Sequence, residues 1–405
     1  MAMSSRWVAE IERYIRGDAG DGSPRGSMPG HSIYRVPQYI KNMTNPDAYR
    51  PQVVSLGPFH HGDPALMPME KHKCRAVAHL VNRSGRPLKD FVAVVEEIKL
   101  QLQDAYENLE DKWYQGTDFV EMMLKDGCFL LEMARAFEQN GRVEDYEPDD
   151  PVFSEHGCLY LFGGIKSDVI LMENQLPLLL VQKLIGAAYN HDFQLADGAS
   201  PINNWVKSMT GIRLHRQRPN TFCSMPSAAE LHETGIHFQL SATEGLGGGI
   251  TFIGGVLNIP KIYLDDNAER IFLNLMAFER LHPGAGNDVT AFVFFLDYLI
   301  TTANDVALLR SKEIIKNDLG SDKAVADLIN KTLAKGAVLK EDSSIIDVLT
   351  DVNAYYKKPL NKLRASFIHT YFSNPWVFFS LIGAVILLVA TVMQTVYTIC
   401  ALLQE

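Results

Sequence analysis

The chain carries a run from Trp376 to Leu403, WVFFSLIGAVILLVATVMQTVYTICALL, without a charged residue. A helix of that length, at about 1.5 Å per residue, exceeds the roughly 30 Å hydrocarbon core of a bilayer. Lipid offers backbone polar groups no partner, so such a run is expected to span as a helix. Only Gln404 and Glu405 follow it. The expectation is a large folded body held to a membrane by a single-pass C-terminal anchor, residues 373–405.

The flanks set an expected orientation. Lys357, Lys358, Lys362 and Arg364 lie within the distance over which basic residues mark the cytosolic side. The body is thus expected in the cytosol, tail-anchored. Cell-surface recognition would require the opposite, a body facing outward at the plasma membrane. Three N-glycosylation patterns bear on that choice: Asn42-Met-Thr, Asn82-Arg-Ser and Asn330-Lys-Thr.

The remaining sequence is hydrophobic enough, at 47%, to build a core, and its formal charge of -10 argues against a nucleic-acid partner. Five cysteines, with no CxxC, read as free thiols of a reducing compartment. Residues 6–16 place Trp7, Val8, Ile11, Tyr14 and Ile15 on one helical face, too polar elsewhere for a signal peptide, and read as a short docking helix, with an amphipathic membrane-surface helix as the alternative. A Gly/Ser/Asp-rich linker, residues 17–30, completes the N-terminal segment 1–30. The folded body is expected over 31–372.

That body reads as mainly α. Four prolines within residues 33–62 forbid a long helix and predict an extended segment lying over a core. Apolar residues stepping by threes and fours predict one long helix over 88–113 and another over 118–139. An apolar helical stretch, 157–189, must kink or split at Pro177. Ser227 with Glu230 has capping-box spacing, and Asp266 with Glu269 suggests another capped start. Between them the period shifts to that of short strands, predicting a small antiparallel β inset at about 236–264. Helices are expected over 288–302 (central and buried), 304–319, 321–333 and 343–372.

Motifs for chemistry fall short. His232 and His237 are five apart with Gly235 between, so the HExxH geometry is lost. The glycines after Gly245 lack the third of GxGxxG and do not precede a helix. His60 and His61, with His72 or Cys74, have no clean ligand spacing, and no metal or cofactor is expected. Asp126, Glu132, Glu173, Asn174 and Glu279 sit in apolar company and read as a structural polar core. A buried carboxylate needs a partner; for Glu132 and Glu173 these would be Arg135, Lys125, Asn174 or a helix terminus. Two polar stretches read by default as solvated loops and, in the sharper reading, as interaction loops: residues 143–155, with Glu144, Asp145, Glu147, Asp149 and Asp150, and residues 191–225, with Arg213, His215, Arg216 and Arg218.

A set of phrases occurs in order along the body: Ile33-Tyr-Arg-Val-Pro, Val54-Ser-Leu-Gly-Pro-Phe-His-His-Gly, Met69-Glu-Lys-His-Lys, Asp126-Gly-Cys-Phe-Leu-Leu-Glu, Leu171-Met-Glu-Asn-Gln-Leu-Pro, Asn274-Leu-Met-Ala-Phe-Glu, Asp305-Val-Ala-Leu-Leu and Asn374-Pro-Trp. Together they resemble the plant family called domain of unknown function 247. The resemblance implies a land-plant protein with a mostly helical body and a membrane association. It supplies no catalytic residues. Some grass members are associated with the S and Z self-incompatibility loci as candidate pollen-side determinants. The expected function is recognition or scaffolding of a protein partner at a membrane, with no small-molecule substrate. The alternative is an enzyme using Glu132, Glu173 or the His60-His61 pair.

Overall fold

The computed structural model describes residues 31–189, 225–241, 249–282, 284–335, 337, 345–358 and 375–402. The expected N-terminal helix and linker, and the cluster Arg213, His215, Arg216 and Arg218, lie outside them. The described chain is mainly helical, with two small sheets.

The first half is a helical layer. After α1 (Gln38–Met43) come α2 (Glu70–Ser84), α3 (Leu88–Glu97), α4 (Lys99–Asp104), α5 (Asp118–Glu138), α6 (Glu155–Val169) and α7 (Leu178–Tyr189). Its centre is α5, buried along most of its length because apolar residues occupy nearly every side of it. The helical stretch splits before Pro177: α6 ends at Val169, a non-helical segment follows, and Pro177 stands immediately before α7, where its missing donor is tolerated.

The second half opens with α8 (Ala228–Glu233), whose Ser227–Glu230 capping box forms as the spacing predicts. Strands β1 (His237–Leu240), β2 (Thr251–Ile253), β3 (Val256–Ile259) and β4 (Ile262–Leu264) follow. Then come α9 (Ala268–Leu281), the buried α10 (Asp288–Leu299), α11 (Ala303–Ser311), β5 (Ile315–Asn317), α12 (Asp322–Asp327) running on as a π-turn, α13 (Ile345–Tyr356) and α14 (Pro375–Leu402).

Four expectations are corrected. The inset is mixed: β2 and β3 form an antiparallel hairpin across Gly254-Gly255, but β1 adds to β3 in parallel. A second, parallel pair joins β4 to β5, across the whole of α9 to α11. The helix expected over 304–319 therefore ends at Ser311, where Glu313 turns left-handed (φ 59°) and the buried Ile314 and Ile315 enter the strand. The helix expected over 88–113 is in pieces: it breaks at Ile98 (φ -102°, ψ 6°), and its second piece, α4, ends at Asp104, where the incoming N-terminal segment claims the carbonyls. His31 Nδ1 lies 2.7 Å from the Asp104 oxygen, and the Ser32 and Ile33 amides donate to Ala105 at 3.0 Å. Finally, α9 begins at Ala268 with no side-chain cap; Asp265 instead accepts the Asn267 amide, and Glu269 receives Asn45.

The C-terminal expectation also changes. The backbone of α14 is one continuous helix, but its described apolar stretch is Ile382–Val396, roughly 22 Å at about 1.5 Å per residue. Among the described residues no single helix is long and apolar enough to cross a membrane. The pair α10 and α11 passes only together, bent by 108°, and α10 is a core helix. The side chain of Trp376 and all of Leu403 lie outside the described residues.

Residues 32–62 form a strap across the body, extended except at α1 and a 3-10 turn over Pro46–Tyr49, so the extended segment expected there is partly helical. Tyr34, Val36, Ile40, Ala48 and Tyr49 belong to the core of the second half, Ile33 and Phe59 to that of the first, and Val54 and Leu56 to a third cluster around Phe129 and Phe153. Burial of these residues ties the three apolar clusters together.

Candidate functional site

Apart from a single bridge between Ile33 and Tyr106, the extended parts of the strap have no strand partner among the described residues, so their buried amides need acceptors elsewhere. The body supplies side chains. Glu173 accepts the Val36 amide at 2.7 Å. Asp168, fully buried, accepts Gln52, Val53 and Val54 at 3.0, 2.6 and 3.0 Å. Asn174 Oδ1 takes Leu56 at 2.6 Å, and Asp126 Oδ2 takes Gly57 at 2.8 Å. Gly57 is in the left-handed region (φ 74°), and a Cβ there would stand 2.7 Å from the Gln175 carbonyl. No side chain fits where the strap presses on that loop.

The carboxylates are in turn paired. Lys73, with no exposed surface, sits 2.6 Å from Asp126, 2.5 Å from Glu70 and 2.6 Å from the Ser55 carbonyl. Arg270 reaches Asp168 and the Arg50 carbonyl, both at 2.8 Å. Lys41 lies 2.8 Å and His60 Nε2 3.3 Å from Glu173. Burial by itself would raise the Glu173 carboxyl; the bonds from His60, Lys41 and the Val36 amide override it and hold it below the usual carboxylate range. At Asp126 burial wins and the carboxyl is raised, against the pull of Lys73 and Gly57.

The other sequence-selected polar residues have separate posts. Glu132 is bound by Arg83, by Arg135 at 2.8 Å and by the Tyr146 hydroxyl at 3.1 Å. Lys125 serves Glu121 instead. Glu279 accepts the Val289 and Thr290 amides at 2.7 and 2.9 Å and so caps α10. Asn274 bridges Met172 and Ala48. Asp168 and Asp305 escape selection by sequence, although each is a carboxylate in apolar company, the signal that found Glu173. Asp305 is 1% exposed and accepts from Thr301, Thr302 and the Ala229 amide.

His60, His61, His72 and Cys74 are not brought together. His61 packs against Trp113 (5.4 Å between centroids), His72 contacts Arg75, and Cys74 is exposed. Among the described residues no group of three His, Cys, Asp or Glu could hold a metal ion.

The acidic segment over 143–155 is built differently from a solvated loop. Val143, Tyr146, Val152 and Phe153 are core residues. Asp145 bonds Arg83 at 2.9 Å and Arg135 at 2.6 Å. Asp150, 3% exposed, pairs with Arg75 and accepts the Val152 and Phe153 amides at 2.9 Å. Glu144, Glu147 and Asp149 between them face solvent.

Beside the strap lies a cleft of about 390 Å³, lined mostly by apolar side chains, with Ser32 and Ile33 at one wall. A second, more polar cavity of about 500 Å³ adjoins His61 and Trp113.

The phrases that bind the strap are those of the resemblance: Glu173 and Asn174, Asp126, and Val54 to Gly57. A family model described as a plant protein of unknown function, domain of unknown function 247, matches residues 33–213 and 207–390. The chain belongs to this family. It is 28% identical to a UPF0481 protein of Arabidopsis thaliana, over 92% of this chain and 87% of the relative. A second Arabidopsis thaliana protein with the UPF0481 designation is 27% identical, over 96% of this chain and 94% of the relative. No solved structure matches.

Proposed function

We propose that this protein is a membrane-anchored recognition or scaffold protein that binds another protein through fixed loop surfaces. The observation that carries this reading is the acidic segment. Asp145 and the buried Asp150 are held by three arginines, so the exposed Glu144, Glu147 and Asp149 are carried on a fixed segment. Preorganisation lowers the entropic cost of binding, and exposed carboxylates suit a basic partner surface. Reversing the three charges (Glu144→Lys, Glu147→Lys, Asp149→Lys) should abolish partner capture from plant membranes without moving the melting temperature. An unchanged capture profile sinks the reading. The alternative is an enzyme using Glu132, Glu173 or the His60-His61 pair; alanine at each site, read as stability against a separate loss of function, tests it.

The anchor is the uncharged run from Trp376 to Leu403, and the exposure of Val385, Leu387, Leu388 and Val392 on α14 supports it. Tethering raises the local concentration of a partner at the same membrane, so a modest affinity suffices. The proposed topology is a cytosolic body. Asn42 and Asn82 are exposed and would be glycosylated in the secretory lumen. Glycosidase treatment of the full-length protein from plant cells is therefore expected to leave its mobility unchanged. A shift would reverse the topology and favour recognition of an external ligand. Allele-specific recognition in grass pollen is the narrower form of this proposal and rests on family resemblance. Exchanging segment 143–155 between alleles should then exchange partner choice.

A further inference from the structure

We propose that the apolar cleft beside the strap is occupied by this chain's own N-terminal stretch, residues 6–16. The cleft holds about 390 Å³ and no charged side chain lines it, so an apolar helix face could enter without stranding a charge. Leu178 and Phe278 stand at its wall with 53% and 36% of their surface exposed, beside the buried Leu56 and Val181. Such a surface on a folded body is a groove awaiting an occupant.

The position of the groove names one. Ser32 and Ile33 form part of its lining, and the chain is fixed there by the amide bonds to Ala105. Everything N-terminal to that point starts at the groove's edge. Residues 17–30 are rich in Gly, Ser and Asp, and fourteen residues of such a composition reach roughly 20 Å end to end. Beyond them, Trp7, Val8, Ile11, Tyr14 and Ile15 recur at helical spacing, the i, i+4, i+7 pattern by which amphipathic helices fill grooves. Trp7 and Ile11 are the expected anchors. A short tether gives a local concentration in the mM range; a groove affinity of about 0.1 mM then keeps the cleft filled about tenfold more often than empty. Any outside molecule reaching the cleft must displace this stretch.

Amide hydrogen exchange on the full-length protein in detergent micelles tests the assignment. In the double variant Trp7→Glu/Ile11→Glu, the amides of Leu176 and Leu178 should exchange about tenfold faster, while α5 at the core of the first half is unchanged. Leu178→Glu, a substitution at an exposed position that the fold tolerates, should release residues 6–16 to the same extent. Combining the variants should add nothing further. Unchanged exchange at Leu176 and Leu178 in the double variant overturns the proposal. So does protection that disappears on dilution, which would assign the cleft to the N-terminal stretch of a second copy.

Discussion

Asp168→Ala is expected to prevent accumulation of folded protein. The side chain has no exposed surface and accepts the amides of Gln52, Val53 and Val54 together with the Arg270 guanidinium. Alanine leaves three strap amides without their acceptor and a guanidinium, 9% exposed, with the Arg50 carbonyl but no carboxylate partner. Removing one member of a buried pair costs about 3–5 kcal/mol, and each stranded amide about 1–3 kcal/mol. Water entering the gap recovers part of this. A net loss of about 5 kcal/mol or more would consume a large share of an ordinary domain's stability. The measurement is thermal unfolding of the variant beside Arg270→Met and the double Asp168→Ala/Arg270→Met. The double should regain only the part due to the uncompensated cation, because the strap amides stay stranded. If Asp168→Ala melts within a few degrees of the parent, the strap is not held by this carboxylate.

The importance of this residue shows where sequence reading succeeds and where it stops. Signals that act within a few residues are legible: the Ser227–Glu230 box, the break at Pro177, the buried stripe of α5. The need to pair a buried carboxylate is legible too, and Arg135 could be named for Glu132 because it lies one helical turn away. Arg83 and Tyr146, which complete that site, come from other elements and carry no local mark. The same limit explains the corrected elements. The second piece of the helix expected from Leu88, α4, stops where His31, Ser32 and Ile33 seize its last carbonyls, and β5 exists because β4, about fifty residues earlier, lies open beside it. In the acidic segment the composition suggests solvation, but the arginines that pair with Asp145 and with the buried Asp150 lie on α2 and α5. Long-range partners turn polar residues of the sequence into structural ones.

Lys73→Met should destabilise the protein in a pH-dependent way, and the direction follows from which charge is left behind. Methionine matches the stem of the lysine but removes the ammonium shared by Asp126, Glu70 and the Ser55 carbonyl. Asp126, 1% exposed, then keeps only the Gly57 amide. At neutral pH an ionised carboxylate stranded there costs about 3–5 kcal/mol. In the parent, burial already raises the folded-state value of this carboxyl above its unfolded one, and loss of Lys73 removes the main opposing force. A group with a raised folded-state value binds its proton more tightly in the native state. Its contribution is therefore most favourable below the unfolded value of about 3.9 and is lost as pH rises through the folded one. The deficit of Lys73→Met relative to the parent should accordingly be smallest near pH 4 and grow toward pH 7. Lys73→Met/Asp126→Asn, which leaves no buried charge, should lose most of that pH dependence while keeping the Gly57 bond. Denaturant titrations of the three proteins at pH 4.5 and 7 separate the alternatives. A deficit of equal size at both pH values would mean that Lys73 acts through packing and not through the charge it neutralises.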